Sequence, residues 1–422
     1  MAAPPEPSLV LSFAEARRVV EEHARRVQAS GTESVALLDA AGRVLAERVT
    51  ADRDIPPFPR STRDGYAVRA GDLASLPARL KVVGEIKAGP SEALRALDRG
   101  ETVGIMTGAP VPEGADAVVM VEYTAPQGDF VEIRKSVVAG ENVVSRGAEA
   151  KDGSLLLDRG VRMNEVAIAL AASVGKSRLQ VFARPRSAVL TTGDEIVSVS
   201  ATPGPAQIRN SNSYSLAVQV RQAGGEPVIL PIAPDEPRQL RELIEQGLAC
   251  DLLLMTGGVS MGRYDLVEQV LTEMHAEFLF TGAKIQPGKP VVFGRVDGTA
   301  GSSRAKVPAP HKYFFGLPGN PISTMVTFEL FARPLLEALA GMSPRELVFL
   351  HAKAKSDVRA KVGLTRFLPA VLSGEFAEAR VELVPWQGSG DLAAQARANC
   401  WAVIPPDREQ ISAGEWIAVL PR

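Results

Sequence analysis

The sequence predicts an α/β multidomain protein whose central domain has three layers, with helices on both faces of a mostly parallel sheet. Between residues 186 and 341, apolar runs alternate with helical patterns at the spacing of right-handed βαβ units. Before residue 159 and after residue 344, short apolar runs broken by Gly and Pro indicate β-rich regions. The length of 422 residues also exceeds that of one ordinary domain.

The first predicted element is an amphipathic helix in SFAEARRVVEEHARRV, where Ser12 stands at the cap position and apolar residues recur at helical spacing. The preceding MAAPPEPSLV lacks the basic region and apolar core of a secretion signal. No apolar run approaches the ~20 residues that a membrane span requires. We therefore expect a soluble cytoplasmic protein that has no membrane partner.

A β-rich module follows the helix. Its alternating runs are RLKVVGEI, ETVGIMTG, DAVVMVEY and DFVEIRKSV. Two of its loops carry single polar groups on a backbone stiffened by proline: DIPPFPRSTRDGYAV contains Asp64, and IMTGAPVPEGAD contains Thr107. A rigid loop fixes such a group in place, which favours a functional role. The helical stretch NEVAIALAASVG closes the module.

The central domain is predicted to bring three loops to one edge of its sheet, because the carboxyl ends of parallel strands share an edge. AVLTTGDE, LLLMTGGVSMG and KYFFGLPGNP each end a predicted strand. Gly-rich turns expose backbone amides to anions. We therefore predict an anion site at this edge, and its candidate substrate-binding residues are Gly257, Gly258, Ser260, Gly262, Pro318 and Asn320.

Charged residues follow the same loops. A carboxylate beside a phosphate is repulsive unless a cation bridges them, and Mg²⁺ prefers carboxylate and phosphate oxygens. Glu195 and Asp265, with Asp194 nearby, are therefore the predicted Mg²⁺ ligands, although Asp194 alternatively caps the next helix. Lys284 and Lys289 lie on either side of the Pro-Gly turn in AKIQPGKPVVFG and are candidate anion-binding cations.

The carboxy-terminal runs FLPAVL, VELVPW, CWAVIPP and EWIAVLP predict a small β-barrel or sandwich, with Trp386, Trp401 and Trp416 more often in a core than at a ligand. Residues 297–312 are predicted to be a hairpin loop. A net charge of -2 argues against a nucleic-acid partner. Only two cysteines are present, which argues against a disulfide framework or a thiolate metal site.

An ordered set of motifs resembles the molybdopterin molybdenumtransferases, the MoeA-like family related to the E domain of gephyrin. The motifs are STRDGYAV, TGAPVPEGADAVV, GEN, TTGDE, SNS, TGGVSMGRYD, PGKP and GLPGNP. The resemblance implies insertion of molybdate into adenylylated molybdopterin, assisted by Mg²⁺, with release of AMP and molybdenum cofactor. It further implies an elongated homodimer whose active cleft is shared between subunits, and the pterin adenylyltransferase of the same pathway as a partner.

The resemblance also implies four domains. Residues 1–45 and 141–183 correspond to an amino-terminal helical and extended domain that links the others and dimerises. Residues 46–140 correspond to an inserted β-rich lid, 184–342 to the α/β molybdopterin-binding domain, and 343–422 to a carboxy-terminal domain that resembles a β-barrel.

Position by position, the resemblance assigns Asp64 and Thr107 to the lid, each facing the cleft of the partner subunit. The acids of the α/β domain correspond to Glu195, Asp235 and Asp265. The lysine of the Pro-Gly-Lys-Pro turn corresponds to Lys289, the serine after Gly-Asn-Pro to Ser323, and a serine at the oxyanion site to Ser389.

This sequence departs from the family pattern at several cationic positions, which hold Gln286, Val144, Leu364 and Pro369 here. Arg63, Lys284 and Arg366 are candidates to supply the missing charge. Two alternatives to the metal transferase are a pterin-nucleotide adenylyltransferase, which shares the α/β domain, and a non-catalytic dimeric scaffold with the same fold.

Overall fold

The computed structural model describes residues 9–29, 31–89, 95–257, 266–297, 311–343 and 345–422. Within these residues the chain forms a β-rich module, a central α/β domain and a closed carboxy-terminal barrel. The predicted α/β multidomain class is confirmed. No helix in the described ranges is long and apolar enough to cross a membrane.

The predicted amino-terminal helix spans Phe13–Ala24. The Ser12 hydroxyl accepts a hydrogen bond from the Glu15 amide at 3.2 Å, and the Glu15 carboxylate accepts one from the Ser12 amide at 2.8 Å. This capping box satisfies amides that a helix start leaves unpaired. The strand Val10–Leu11 runs parallel to Gly282–Ala283. The buried face of the helix belongs to the core of the central domain through Ala16, Val20 and Ala24.

The β-rich module is a six-stranded mixed sheet. In spatial order its strands are Ala117–Met120, Gly65–Val68, Glu101–Ile105, Ala78–Ile86, Phe130–Ile133 and Thr124–Gln127. Val118 and Val119 are buried in two different apolar clusters, because successive residues of a strand point to opposite faces. The module therefore has an apolar core on each side of its sheet.

Three pairs of short antiparallel strands connect the module to the rest of the chain. They are Thr32–Ala36 with Arg178–Phe182, Val49–Thr50 with Leu155–Leu157, and Arg60–Ser61 with Val143–Val144. The helix Glu165–Ser173 begins after its N-cap Asn164 and packs on this region. The chain therefore enters and leaves the module along paired strands.

The central sheet has six strands, in the spatial order Glu226–Ile229, Arg186–Thr191, Leu252–Thr256, Lys312–Leu317, Val292–Val296 and Glu277–Phe280. The first four are parallel, and Val292–Val296 runs antiparallel to both of its neighbours. Residues 298–310, which join the antiparallel strands Val292–Val296 and Lys312–Leu317, lie outside the described part of the chain, and so does most of the predicted hairpin loop.

Helices cover both faces of this sheet, which confirms the predicted three layers. One face packs against Asn212–Gln222, Pro321–Thr327, the π-helical Phe328–Ala332 and Arg333–Leu339, together with the amino-terminal helix. The other face packs against Pro237–Leu248 and Leu266–Glu273. Alternate strand residues such as Leu254 and Met255 belong to opposite clusters, as expected of a sheet that is buried on both sides.

The carboxy-terminal region is a closed barrel and not a sandwich. Its strands follow one another in the order Thr365–Ser373, Arg380–Leu383, Leu350–Ala354, Trp416–Pro421 and Cys400–Ile404, and the last pairs with the first. Trp401 is buried in the core as predicted, but the prediction is wrong for Trp416, which is half exposed. The strand Ile285–Gln286 runs parallel to Thr365–Arg366 and thereby attaches the barrel to the central domain.

Candidate active site

Two adjoining cavities lie at the carboxyl edge of the central sheet. The smaller has a volume of about 370 Å³ and is lined by the ends of the three predicted loops. The larger, of about 1000 Å³, lies between the central domain and the barrel. Because Pro290, Pro318 and Asn320 line both cavities, the two form one continuous cleft.

Gly257 allows two of these loops to touch. Its φ angle is +90°, and a Cβ atom at this position would lie 2.4 Å from the backbone oxygen of Thr192. A Cβ on Gly319 would in turn lie 3.5 Å from the Cα of Gly257. The glycines therefore permit a close approach of backbone to backbone at the floor of the smaller cavity. Gly258, Ser260 and Gly262, predicted to bind substrate, lie outside the described residues.

Gly257→Ala is expected to lower the free energy of unfolding by about 2–4 kcal/mol, because it adds backbone strain and overlaps the Thr192 carbonyl. The measurement is thermal unfolding of the two proteins. Gly42→Ala is the matched control, since Gly42 has a φ angle of +74° but nothing within 4 Å of its Cβ position. If Gly257→Ala and Gly42→Ala lowered the free energy of unfolding equally, the contact between the two loops would contribute nothing to stability.

A buried hydrogen-bond network holds the Gly-Leu-Pro-Gly-Asn-Pro loop against the neighbouring strand end. The Thr256 hydroxyl donates to the Pro318 oxygen at 3.0 Å, and the Asn212 amide donates to the Thr256 hydroxyl at 2.9 Å and to the Gly319 oxygen at 2.7 Å. Asn212 belongs to the SNS motif. Its described contacts indicate that this motif positions the cleft.

Two buried polar atoms beside the smaller cavity have no hydrogen-bond partner among the described residues. They are the Oγ1 atom of Thr192 and the Oδ1 atom of Asn212. Both residues line the smaller cavity. A buried polar atom without a partner is costly, so both atoms are suited to hydrogen-bond a polar ligand.

The predicted acids differ in their relation to the smaller cavity. Glu195 lines it, and its carboxylate occupies the space that a Cβ on Gly193 would fill. Asp194 Oδ1 accepts a hydrogen bond from the Asp235 amide at 3.1 Å, so these two predicted residues contact each other. Asp265 lies outside the described residues. Within the described part of the chain, no three His, Cys, Asp or Glu side chains are grouped so as to hold a metal.

Cations and hydroxyl groups are among the residues that line the larger cavity. Lys289, Asn320, Ser323, Arg366 and Ser389, all predicted site residues, line it together with Pro318. The Ile322 amide donates to the Ser389 oxygen at 2.9 Å, which fixes the barrel loop against the helix that begins at Pro321. Sequence reasoning assigned no ligand role to Arg359, Lys361 or Trp386, which also line this cavity.

Of the three candidates to supply missing charge, Arg366 lines the larger cavity, whereas Lys284 and Arg63 are not among the described residues that line either cavity of the cleft. Lys284 is exposed and lies near Glu15 of the amino-terminal helix, where it lowers the pKa of that carboxyl after the larger effects of the Ser12 hydrogen bonds. Arg63 is exposed in the β-rich module. Gln286 and Leu364, two positions at which the resemblance implies a missing cation, do line the larger cavity.

Asp64 and Thr107 form a pair in the β-rich module. Asp64 Oδ1 accepts hydrogen bonds from the Thr107 amide at 2.6 Å and the Thr107 hydroxyl at 2.9 Å. The hydrogen bond from the Thr107 amide has the largest effect in holding the pKa of the Asp64 carboxyl below its usual range, and the bond from the Thr107 hydroxyl has the next largest. Neither residue lines the cleft of its own chain.

Thr107→Val is expected to raise the pKa of Asp64 towards its ordinary value, because one of two donors is lost. Carboxyl NMR titration measures this shift, and Thr107→Ser is the control that keeps the hydroxyl. Because the pKa of Asp64 is lower in the folded than in the unfolded protein, its ionised carboxylate stabilises the fold at pH values above the unfolded-state pKa. This stabilisation is lost as the pH falls through the folded-state pKa. An Asp64 pKa that is the same in Thr107→Val and the parent would contradict the role of the hydroxyl.

Comparison with known proteins identifies the family. Residues 11–175 match the MoeA N-terminal region (domain I and II), 188–338 the probable molybdopterin binding domain, and 351–421 the MoeA C-terminal region (domain IV). A molybdopterin molybdenumtransferase from Nostoc sp. is 34% identical over 92% of this chain and 88% of that protein. The chain belongs to the molybdopterin molybdenumtransferase family. This family consists of transferases.

Further comparisons agree with this family assignment. The molybdopterin molybdenumtransferase of Bacillus subtilis is 32% identical over 95% of this chain and 93% of its own length. The crystal structure of the molybdopterin biosynthesis MoeA protein from Pyrococcus horikoshii OT3 is 27% identical, with a TM-score of 0.77 over 98% of this chain and 100% of that one. The molybdopterin molybdenumtransferase family match thus spans the module, the cleft and the barrel.

Proposed function

We propose that this protein transfers molybdenum from molybdate to adenylylated molybdopterin and releases AMP. The observation that carries the proposal is the composite cleft. Its larger cavity has cationic and hydroxyl groups suited to an oxyanion, and its smaller cavity has glycine turns, Glu195 and unpaired polar atoms suited to a pterin nucleotide. The named activity of the relatives supports the same conclusion.

In the smaller cavity, the proposed ligand is the phosphate-bearing part of the pterin substrate. Gly257 presents backbone without a side chain, and we assign the adjacent Gly258, Ser260 and Gly262 to the same phosphate. Thr192 and Asn212 offer their unpaired oxygens to the polar groups of the ligand. These contacts orient the phosphoanhydride for cleavage.

In the larger cavity, the proposed ligand is molybdate. Lys289 supplies charge, while the hydroxyl groups of Ser323 and Ser389 supply hydrogen bonds to its oxygens. Fixed donors of this kind stabilise charge without having to reorganise when the reaction takes place. Because the two cavities are continuous, molybdate can meet the pterin end of the other substrate.

Mg²⁺ fits the smaller cavity, because this ion takes one or two carboxylates together with phosphate oxygens and water. Glu195 and Asp265 are the proposed ligands, with Asp194 as the third. The Glu195 carboxylate accepts no hydrogen bond within the described part of the chain and remains available. When bound, the ion would offset charge on the leaving phosphate.

We further propose that the protein acts as a homodimer in the cytoplasm, where it receives its substrate from the pterin adenylyltransferase of the same pathway. In such a dimer Asp64 and Thr107 of one subunit face the cleft of the other. The exposed Asp64–Thr107 pair, which lines neither cavity of its own chain, is consistent with this arrangement.

Incubation with adenylylated molybdopterin, Mg²⁺ and molybdate tests the proposal. AMP and metal-loaded cofactor are expected together, and Glu195→Gln should need about tenfold more Mg²⁺ for the same rate. Binding of neither ligand would instead support a non-catalytic scaffold. Formation of adenylylated molybdopterin from ATP, without metal insertion, would support the adenylyltransferase alternative.

A further inference from the structure

The charged side chains that line the larger cavity are all positive. Its charged lining residues are Lys289, Arg359, Lys361 and Arg366, and no Asp or Glu is among the lining residues. None of these four cations forms an ion pair with an acid in the described part of the chain. A concave surface of one charge concentrates ligands of the opposite charge. The cavity is therefore suited to a small dianion.

Arg366 lies beside Gln286, one of the two cavity positions at which the resemblance implies a missing cation. Its relative exposure is 9%, and it is the direct strand partner of Gln286 in the parallel pair that joins barrel and central domain. Its Nη2 atom donates to the Lys361 oxygen at 2.6 Å. Its buried Nε atom has no partner among the described residues, which indicates a donor reserved for a ligand.

Arg359 and Lys361 are exposed side chains on a segment with a fixed backbone. The strand Val358–Arg359 pairs with Gln410–Ile411. Directly after it, the Ala360 amide donates to the Glu409 oxygen at 2.8 Å and the Gly363 amide donates to the Pro406 oxygen at 2.7 Å. The segment therefore presents both cations to the cavity without a large ordering cost.

We propose that Arg359, Lys361 and Arg366 bind the oxyanion substrate and supply the positive charge that is absent at Gln286 and Leu364. This inference rests on the proposed function, which places molybdate in the larger cavity. Arg366 contacts the bound anion from the barrel wall, while Arg359 and Lys361 attract it from solvent. The barrel thereby determines the affinity of this protein for a tetrahedral dianion.

The test is calorimetric titration with molybdate alone, and separately with AMP alone, at two salt concentrations. Arg359→Gln/Lys361→Gln is expected to bind molybdate at least about tenfold more weakly, with a smaller salt dependence, and to keep its affinity for AMP. Both side chains are exposed, so the variant should fold, and thermal unfolding checks this. Adding Gln286→Lys to the double variant is expected to restore part of the molybdate affinity.

The matched control is Lys355→Gln/Arg380→Gln, which removes two barrel cations that are paired with Glu382 and Glu378 and do not line the cavity. Its molybdate affinity should change less than twofold. Unchanged molybdate affinity in Arg359→Gln/Lys361→Gln, or loss of AMP binding alone, overturns the inference. If Arg359→Gln/Lys361→Gln released AMP at the normal rate at low molybdate concentration, the inference would be overturned but the proposed function would stand. Charge-dependent molybdate binding without any AMP release refutes only the proposed function.

Discussion

Lys289→Met is expected to lower molybdate-dependent AMP release by about a hundredfold or more, the usual effect of removing one fixed donor from a charge-stabilising site. Lys289 lines the larger cavity and forms no ion pair within the described residues. Its backbone oxygen accepts hydrogen bonds from the amides of Ala283 and Val291, each at 3.0 Å. These two hydrogen bonds fix the backbone of the turn at Lys289.

The measurement is the rate of AMP release as a function of molybdate concentration. Lys355→Met is the control, since it removes a lysine that pairs with Glu382 outside the cleft. Lys289→Arg should retain part of the activity, because the charge remains although its geometry differs. A Lys289→Met protein that unfolds normally and turns over at the parental rate would exclude Lys289 from the reaction.

The edge of the central sheet could be predicted from the sequence because its signals are local. The strands Arg186–Thr191, Leu252–Thr256 and Lys312–Leu317 are short apolar runs that each end in Gly or polar residues. Once such strands are parallel neighbours, their carboxyl ends must meet at one edge. The position of the smaller cavity thus follows from strand direction.

The cationic wall of the larger cavity could not be predicted in the same way. Arg359 and Lys361 occur in SDVRAKVG, a polar segment that resembles any exposed loop. They reach the cavity because Thr365–Arg366 pairs with Ile285–Gln286, a contact across about 80 residues of sequence. Trp386 packs against the main core, as the sequence predicts, and also lines this cavity.

For Lys284, the local motif predicts a site residue, but the side chain is not among those that line either cavity of the cleft. The Lys284 amide donates to the Leu11 oxygen at 2.7 Å, so its strand continues towards the amino-terminal helix. The motif AKIQPGKP contains two lysines but does not reveal this distant strand partner. The same turn therefore places Lys289 in the cavity and Lys284 near Glu15.

Mixing Asp64→Asn subunits with Lys289→Met subunits is expected to restore activity, although each variant alone should be nearly inactive. If the module of one subunit serves the cleft of the other, a mixed dimer has one cleft with both changes and one with neither. Random reassociation in a two-fold dimer should then recover about a quarter of the parental activity.

The measurement is AMP release after the variants are unfolded and refolded together, with each variant refolded alone as the control. If the module served its own cleft, every cleft in a mixed dimer would carry one change and activity would stay at the level of the single variants. Asp64 and Thr107 bond to each other and line neither cavity of their own chain. A catalytic role for Asp64 therefore requires a second subunit, and recovery in the mixture would establish that requirement.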